Sequence, residues 1–170
     1  MILLGLGSNL SSSFGDRFEN IDLAVSALNG YGIKVKKKSC YYESLSYPNK
    51  KNPQFINIVV SVETHLPPED LASVLIFIEK KLDRRRTKKN EPRTCDIDII
   101  DYNNQIINFK YKDSDFTVPH KKLIYRNFVL FPLQEISPGW THPKTNELIS
   151  ILIEKLSKDD KNSILKIKES

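Results

Sequence analysis

Cysteine is scarce: Cys40 and Cys95 are the only two in 170 residues. Two isolated thiols do not make a disulfide scaffold, and neither stands at metal-ligand spacing from a histidine. A reducing cytoplasm is the expected compartment. Long apolar runs are also missing, and nothing approaches the ~20 residues that a membrane helix needs. Met1-Ile2-Leu3-Leu4-Gly5 has no basic stretch ahead of it and no cleavage-site pattern behind it, so no signal peptide is expected. Internal repeats and low-complexity linkers are absent. What is present is ordinary for a soluble globular protein, with 39% hydrophobic and 28% charged residues. The length favours one domain over 1–170, ending in a charged tail. The net charge of +5 is concentrated in residues 80–93, at Lys80, Lys81, Arg84–Arg86, Lys88, Lys89 and Arg93. Such a cluster points to an anionic partner without saying whether it is a nucleotide or a nucleic acid.

The stretch Pro92-Arg93-Thr94-Cys95-Asp96-Ile97-Asp98-Ile99-Ile100-Asp101 follows that basic segment. Read as a strand, it places Asp96 and Asp98 on one face and Ile97 and Ile99 on the other. Two adjacent carboxylates repel, and one pKa is normally raised. A hard divalent cation removes the conflict, and Mg²⁺ commonly takes one or two carboxylates plus substrate phosphates. The plain alternative is an edge strand with a wet polar face, the commoner case for an isolated Asp-x-Asp. The cationic loop beside it favours a site that grips a polyphosphate through metal and arginine.

Along the chain, Ile2–Leu6 reads as a buried first strand ending in a tight turn at Gly7-Ser8-Asn9. Phe14, Phe18, Ile21, Val25 and Leu28 mark an amphipathic helix over 13–28, with N-caps offered by Ser11–Ser13. A strand follows from Ile33 toward Tyr42, then a loop over 43–54. Phe55–Glu63 is the clearest strand, with Asn57 its odd polar member. Pro67-Pro68 opens a second helix carrying Leu71, Val74, Leu75, Ile78 and Leu82. Glu79 sits near its C-terminal end, where the helix dipole does not favour an acid. After the Asp96–Asp98 strand, Asn103-Asn104 turns toward a short hairpin partner over 105–109. Residues 110–120 read as irregular, 128–136 as a buried stretch kinked at Pro132, and 147–156 as a last helix. This order predicts an α+β fold: a ferredoxin-like βαββαβ antiparallel sheet with helices on one face, the other face open to ligands, and C-terminal additions.

Leu6-Gly7-Ser8-Asn9-Leu10, Phe55-Ile56-Asn57, Ile78-Glu79, Arg84–Arg86, Pro92–Ile99, Thr117-Val118-Pro119-His120 and Arg126–Leu133 together resemble the 6-hydroxymethyl-7,8-dihydropterin pyrophosphokinase family, in its order and spacing. The resemblance implies transfer of the β,γ-pyrophosphoryl group of ATP to a pterin hydroxymethyl oxygen. It implies two Mg²⁺ ions on Asp96 and Asp98, and catalysis by positioning and charge neutralisation. Arg93 with Arg84 and Arg86 would close over the triphosphate. Glu79, Arg86, Arg93, Ile99, Thr117, His120 and Arg126 would line the ATP site. Gly7, Ser44, Leu45, Asn57, Asp96 and Phe128 would hold the pterin, with ATP and a dihydropterin as partners, and a monomer is expected.

The chain departs from the family pattern at several places. Asn90-Glu91 stand where Trp-Gly is common, in a loop one residue shorter, and Asp115 stands where an arginine is usual. Ile76 replaces a common glutamine, and Ser44-Leu45-Ser46-Tyr47 replaces a proline-rich segment. Three alternatives stay open: a basic nucleic-acid-binding sheet, a palm-type nucleotidyl transferase, and a homologue that binds nucleotide without transfer.

Overall fold

The computed structural model describes residues 1–85 and 88–167. Among these residues the main sheet has six strands, four of them arranged around a long central pair. β1 (Ile2–Ser8) lies between β5 (Asp96–Tyr102) and β4 (Phe55–Glu63), antiparallel to both. β2 (Lys34–Lys38) and β3 (Tyr41–Ser44) share the far side of β4, and β8 (Leu165–Ile167) completes the edge beside β3. The expected single strand toward Tyr42 is thus two strands. Between them the hydroxyl of buried Ser39 accepts the Val59 N–H at 3.0 Å, so a side chain takes over the ladder where the backbone bends.

α1 (Arg17–Gly30) and α2 (Pro68–Lys81) cover one face of this sheet. Their buried residues Ile21, Ala24, Leu28, Leu71, Leu75 and Ile78 meet Ile2, Leu4, Leu6, Ile58, Val60, Ile97 and Ile99. α1 starts later than the serine-rich stretch suggests. Asp16 is its N-cap: Glu19 N–H donates to Asp16 at 2.9 Å, and Asp16 N–H donates to the Glu19 carboxylate at 2.8 Å. Phe14 falls outside the helix and is exposed, while the Ser13 N–H and hydroxyl both donate to Asp83.

The opposite face is not open throughout, which corrects the expectation of helices on one side only. α3 (Asn127–Ile136) and α4 (Ile149–Glu154) pack Val129, Leu130, Leu133, Ile149 and Leu152 onto Leu3, Val59 and Ile100. The stretch around Pro132 is helix: the ring occupies its own turn and leaves the Phe128 carbonyl without an i+4 donor. A register shift between Leu3 and Leu4 puts both Ile100 and Asp101 toward this second core. There the buried Asp101 carboxylate accepts the Trp140 indole N–H at 2.7 Å and the Asn104 N–H at 2.8 Å.

Three further expectations change. Residues 107–118 are a hairpin of their own, β6 (Ile107–Tyr111) with β7 (Ser114–Val118), and β6 does not pair back onto β5. Phe109 and Phe116 stack across it at 5.0 Å. The final helix is shorter than expected. The charged tail forms α5 (Lys158–Asn162) and then β8, so it is built into the fold through Ile167.

Replacing Asp101 with alanine leaves the buried indole N–H of Trp140 without its acceptor. We expect a loss of about 1–3 kcal/mol in unfolding free energy, read from urea denaturation. An unchanged midpoint would show that the pair contributes nothing to the second core.

Candidate active site

The alternation that buries Leu3, Val59 and Ile100 under α3 brings Gly5, Gly7, Asn57, Asp96 and Asp98 to the same face, nearer the other end of the strands. Pairing sets them in rows. Gly7 stands between Asn57 on β4 and Asp96 on β5, and Gly5 between Val59 and Asp98. The two glycines leave a bare floor. A Cβ on Gly7 would lie 3.1 Å from the Asn57 side-chain oxygen, and one on Gly5 would lie 3.2 Å from Ile100. α3 begins only at Asn127, beside this floor, and a cavity of about 530 Å³ remains.

One end of the cavity is aromatic and amide-lined, and the arginines of the charged end lie over two of its rings, Arg93 over Phe55 at 5.6 Å and Arg126 over Phe128 at 5.5 Å. Phe55, Asn57, Phe128, Tyr47 and Leu45 line this end. Asn57 is buried, and its amide N–H₂ donates to Ser44 Oγ at 2.9 Å and to the Tyr42 carbonyl at 3.2 Å. Those bonds orient the amide and turn its oxygen toward the Gly7 floor. Ser44 therefore acts on the cavity through Asn57.

The other end is charged. Asp96 accepts from Arg84 at 2.7 Å and from Arg93 at 3.2 Å, and Asp98 pairs with Arg126 at 3.3 Å. Burial works against the Asp96 carboxylate, but Arg84 and Arg93 outweigh it and hold its pKa below the usual range. Burial and then the Asp96 charge raise that of Asp98, opposed by Arg126. Arg84 is not a free loop residue. It is nearly buried behind Asp96, held by Glu79 and by the Cys95 carbonyl at 3.1 Å. Glu79, buried in turn, also accepts the Ile97 N–H at 3.0 Å, which accounts for an acid at the C-terminal end of α2. Lys89 and Lys122 add positive charge to the cavity wall.

His120 follows the cis Val118–Pro119 bond. Burial, then Arg126 and Lys122, push its imidazole down to about 4, so it is neutral at pH 7. The Lys122 N–H donates to Nδ1 at 3.0 Å, which puts the ring proton on Nε2. Nε2 then faces Arg126 Nη2 at 3.3 Å.

Of the residues singled out from the sequence, Gly7, Leu45, Asn57, Arg93, Asp96, Asp98, Arg126 and Phe128 meet at this one cavity. Glu79 and Arg84 lie behind it, and His120 touches it through Arg126. Ile99 points into the α1–α2 core, and Thr117 sits on β7 opposite Asn108. Arg86 lies outside the described residues. Sequence reasoning gave no role to Asn9 and Phe55. Phe55 is two residues before Asn57 on one strand, so period two already placed it on the same face. Asn9 had no such signal. Buried, it accepts the Arg93 N–H at 2.7 Å, donates its own N–H to the Arg93 carbonyl at 3.1 Å, and donates its amide to the Pro53 carbonyl at 3.0 Å. It ties three loops together at the cavity rim.

Asp96 and Asp98 suit a small oxygen-seeking cation. They are same-face carboxylates at a cavity, and among the described residues no third His, Cys, Asp or Glu completes a closed cage. Such a partial set fits a cation that takes its other ligands from phosphate and water.

Residues 3–138 match the family model described as 7,8-dihydro-6-hydroxymethylpterin-pyrophosphokinase. A Synechocystis protein named 2-amino-4-hydroxy-6-hydroxymethyldihydropteridine pyrophosphokinase is 35% identical over 155 residues, 91% of this chain and 75% of that one. The Aquifex aeolicus protein of the same name is 35% identical over 142 residues, covering 84% and 83%. The folic acid synthesis protein fol1 of Pneumocystis carinii is 38% identical over 164 residues, and the chain spans only 21% of its length. Among solved structures, Plasmodium falciparum HPPK-DHPS superimposes with a TM-score of 0.73 over 91% of this chain and 40% of that one, at 16% identity, a likeness of fold. The chain belongs to the 7,8-dihydro-6-hydroxymethylpterin-pyrophosphokinase family.

Proposed function

We propose that the chain transfers the pyrophosphoryl group of ATP to the hydroxymethyl oxygen of 6-hydroxymethyl-7,8-dihydropterin and releases AMP. The observation that carries this reading is the row Asn57–Gly7–Asp96, which sets an amide between aromatic rings and a carboxylate pair on one uninterrupted floor. The pterin ring would lie at the aromatic end, between Phe55 and Phe128, with the Asn57 oxygen accepting a ring N–H. The triphosphate would lie at the cationic end. In the transfer the hydroxymethyl oxygen forms a bond to the β-phosphorus, the bond from that phosphorus to the oxygen bridging it to the α-phosphate breaks, and the hydroxyl proton leaves.

Asp96 and Asp98 would hold Mg²⁺, two ions by the family resemblance. Bound there, Mg²⁺ supplies charge neutralisation on the phosphates and polarisation of the acceptor hydroxyl. Arg93 and Arg126, each paired with one of these carboxylates, are placed to turn to phosphate oxygens. His120 Nε2–H and Arg126 present two donors to each other, and a phosphate oxygen would satisfy both. Arg84 would act from behind, keeping Asp96 ionised. Thr117, Ile99 and Arg86 keep their proposed places near the nucleotide on the resemblance alone.

The core order β5-β1-β4-β3 supports reading the sheet as ferredoxin-like, with β2 and β3 as one interrupted strand. A monomer working as one domain over 1–170 is part of this reading. Cys40 and Cys95 are not joined in a disulfide, which fits a cytoplasmic setting. No helix among the described residues is long and apolar enough to cross a membrane. A nucleic-acid role is disfavoured, since Asp96 and Asp98 would confront the phosphates with carboxylates.

The direct test is AMP release from Mg·ATP with and without the dihydropterin. Pterin-dependent AMP with a pyrophosphate ester as co-product is expected; pterin-independent hydrolysis or no AMP would sink the reading. Asp98→Ala removes half of the carboxylate pair, and we expect turnover to fall by at least about a hundredfold. Retained turnover would show that the pair holds no essential ion. Arg93→Ala should lower kcat by about tenfold or more while weakening pterin binding less. An unchanged kcat would remove Arg93 from the transfer step.

A further inference from the structure

The family match ends at residue 138, yet the chain beyond it returns to the aromatic end of the cavity. Several attachments bring it there. β8 extends the sheet edge through Tyr41↔Ile167, Tyr42↔Lys166 and Glu43↔Leu165. Lys166 Nζ lies 3.5 Å from the Glu135 carboxylate, which also accepts the Tyr42 hydroxyl at 2.5 Å. Asn127, buried at the first turn of α3, donates its amide to the Asp160 carbonyl at 2.8 Å and to Ser163 Oγ at 3.2 Å. Ser157 caps α5 by accepting the Asp160 N–H at 3.1 Å. The result is a carboxylate, Asp160, set into the cavity wall.

This carboxylate is unlike the other two in the cavity. Asp96 and Asp98 face arginines, whereas Asp160 accepts the Tyr47 hydroxyl at 3.3 Å. Tyr47 stands in the loop between β3 and β4, and it too lines the cavity. Tyr47 is a large ring on a loop, 44% exposed, with the Lys50 ammonium 5.7 Å from its centroid. A bond to a carboxylate whose backbone is anchored through α3 and through the sheet restricts where that ring goes.

We propose that the C-terminal arm, residues 157–167, is a working wall of the acceptor compartment, in which Asp160 is a positioning residue that holds Tyr47 against the acceptor ring. The inference rests on the acceptor site proposed above. Asp160 and Tyr47 line the cavity with Phe55 and Phe128, and among the described residues neither bonds to Asp96, Asp98 or their arginines, so their effect falls on acceptor binding and not on nucleotide binding.

The test uses the full chain and the fluorescence of 6-hydroxymethylpterin, titrated into wild type, Tyr47→Phe, Asp160→Ala, Asp160→Asn and the Tyr47→Phe/Asp160→Ala double variant. Nucleotide affinity is measured alongside with α,β-methylene-ATP. Tyr47→Phe and Asp160→Ala should each weaken pterin binding about threefold to tenfold, the range expected for one lost hydrogen bond. The double variant should be no worse than either single, and Asp160→Asn should recover most of the loss because its oxygen still accepts. Nucleotide affinity should not move. Unchanged pterin affinity in both single variants would overturn the proposal, as would a nucleotide loss equal to the pterin loss, which would mark a general loosening. If wild type binds nucleotide but no pterin, the acceptor site itself falls, and the arm's role with it.

Discussion

Two carboxylates two residues apart on one strand face each other's charge, and the surrounding structure answers that constraint. Asp96 and Asp98 draw Arg84 and Arg93 from the segment after α2, and Arg126 from the N-terminus of α3. A buried guanidinium needs support of its own, and Glu79 on α2 supplies it behind Arg84. The charge balance thus runs from one helical layer, through the edge of the sheet, to the helix on its other side. Arg93 and Arg126 also line the cavity, so the ion pairs that let the two carboxylates coexist set out cations suited to an anionic ligand, with Arg84 behind them.

The second constraint is the division of one sheet face. Leu3, Val59 and Ile100 are apolar and lie under α3, while the positions beside them carry glycine, asparagine and aspartate. A helix cannot cover the latter without burying unpaired charge, and α3 starts only at Asn127, beside them. Gly5 and Gly7 sacrifice packing in the middle of a strand, and what they leave is the floor of the cavity. Phe55 and Asn57 then share the face by simple alternation, giving one cavity with an aromatic end and a cationic end. Asn9 holds the rim by bonding both to the Arg93 backbone and to the Pro53 carbonyl. The base of the basic loop is therefore tied to the base of the β3–β4 loop. At residue 90 an asparagine, not an aromatic ring, reaches the cavity, and Tyr47 and Asp160 contribute wall from the far side.

Much of this was legible in the residue order. β4 has the limits that its β-branched run predicts, α2 starts at its prolines, and period two alone puts Asp96 and Asp98 on one face. Motifs spread through the chain suffice to name the family and most of the residues that meet at the cavity, because those residues sit on central strands whose pattern is strong. Local signals misled where tertiary bonds decided. Three serines looked like the cap of α1, but Asp16 with Glu19 closes a capping box, and Ser13 is taken by Asp83. Pro132 does not end α3, whose apolar face outweighs one lost backbone bond.

What the sequence by itself determined is the alternation: which side chains can share a face, and hence that two acids, an amide and two glycines belong together. Only the tertiary structure decided which end of that face is covered and which is open, since that depends on where a later helix lands. It also decided that Arg84 stands behind Asp96 and not above it, and that the charged C-terminal segment folds back as α5 and β8 beside the cavity. These are pairings between residues far apart in the chain, and no local periodicity encodes a partner at that distance.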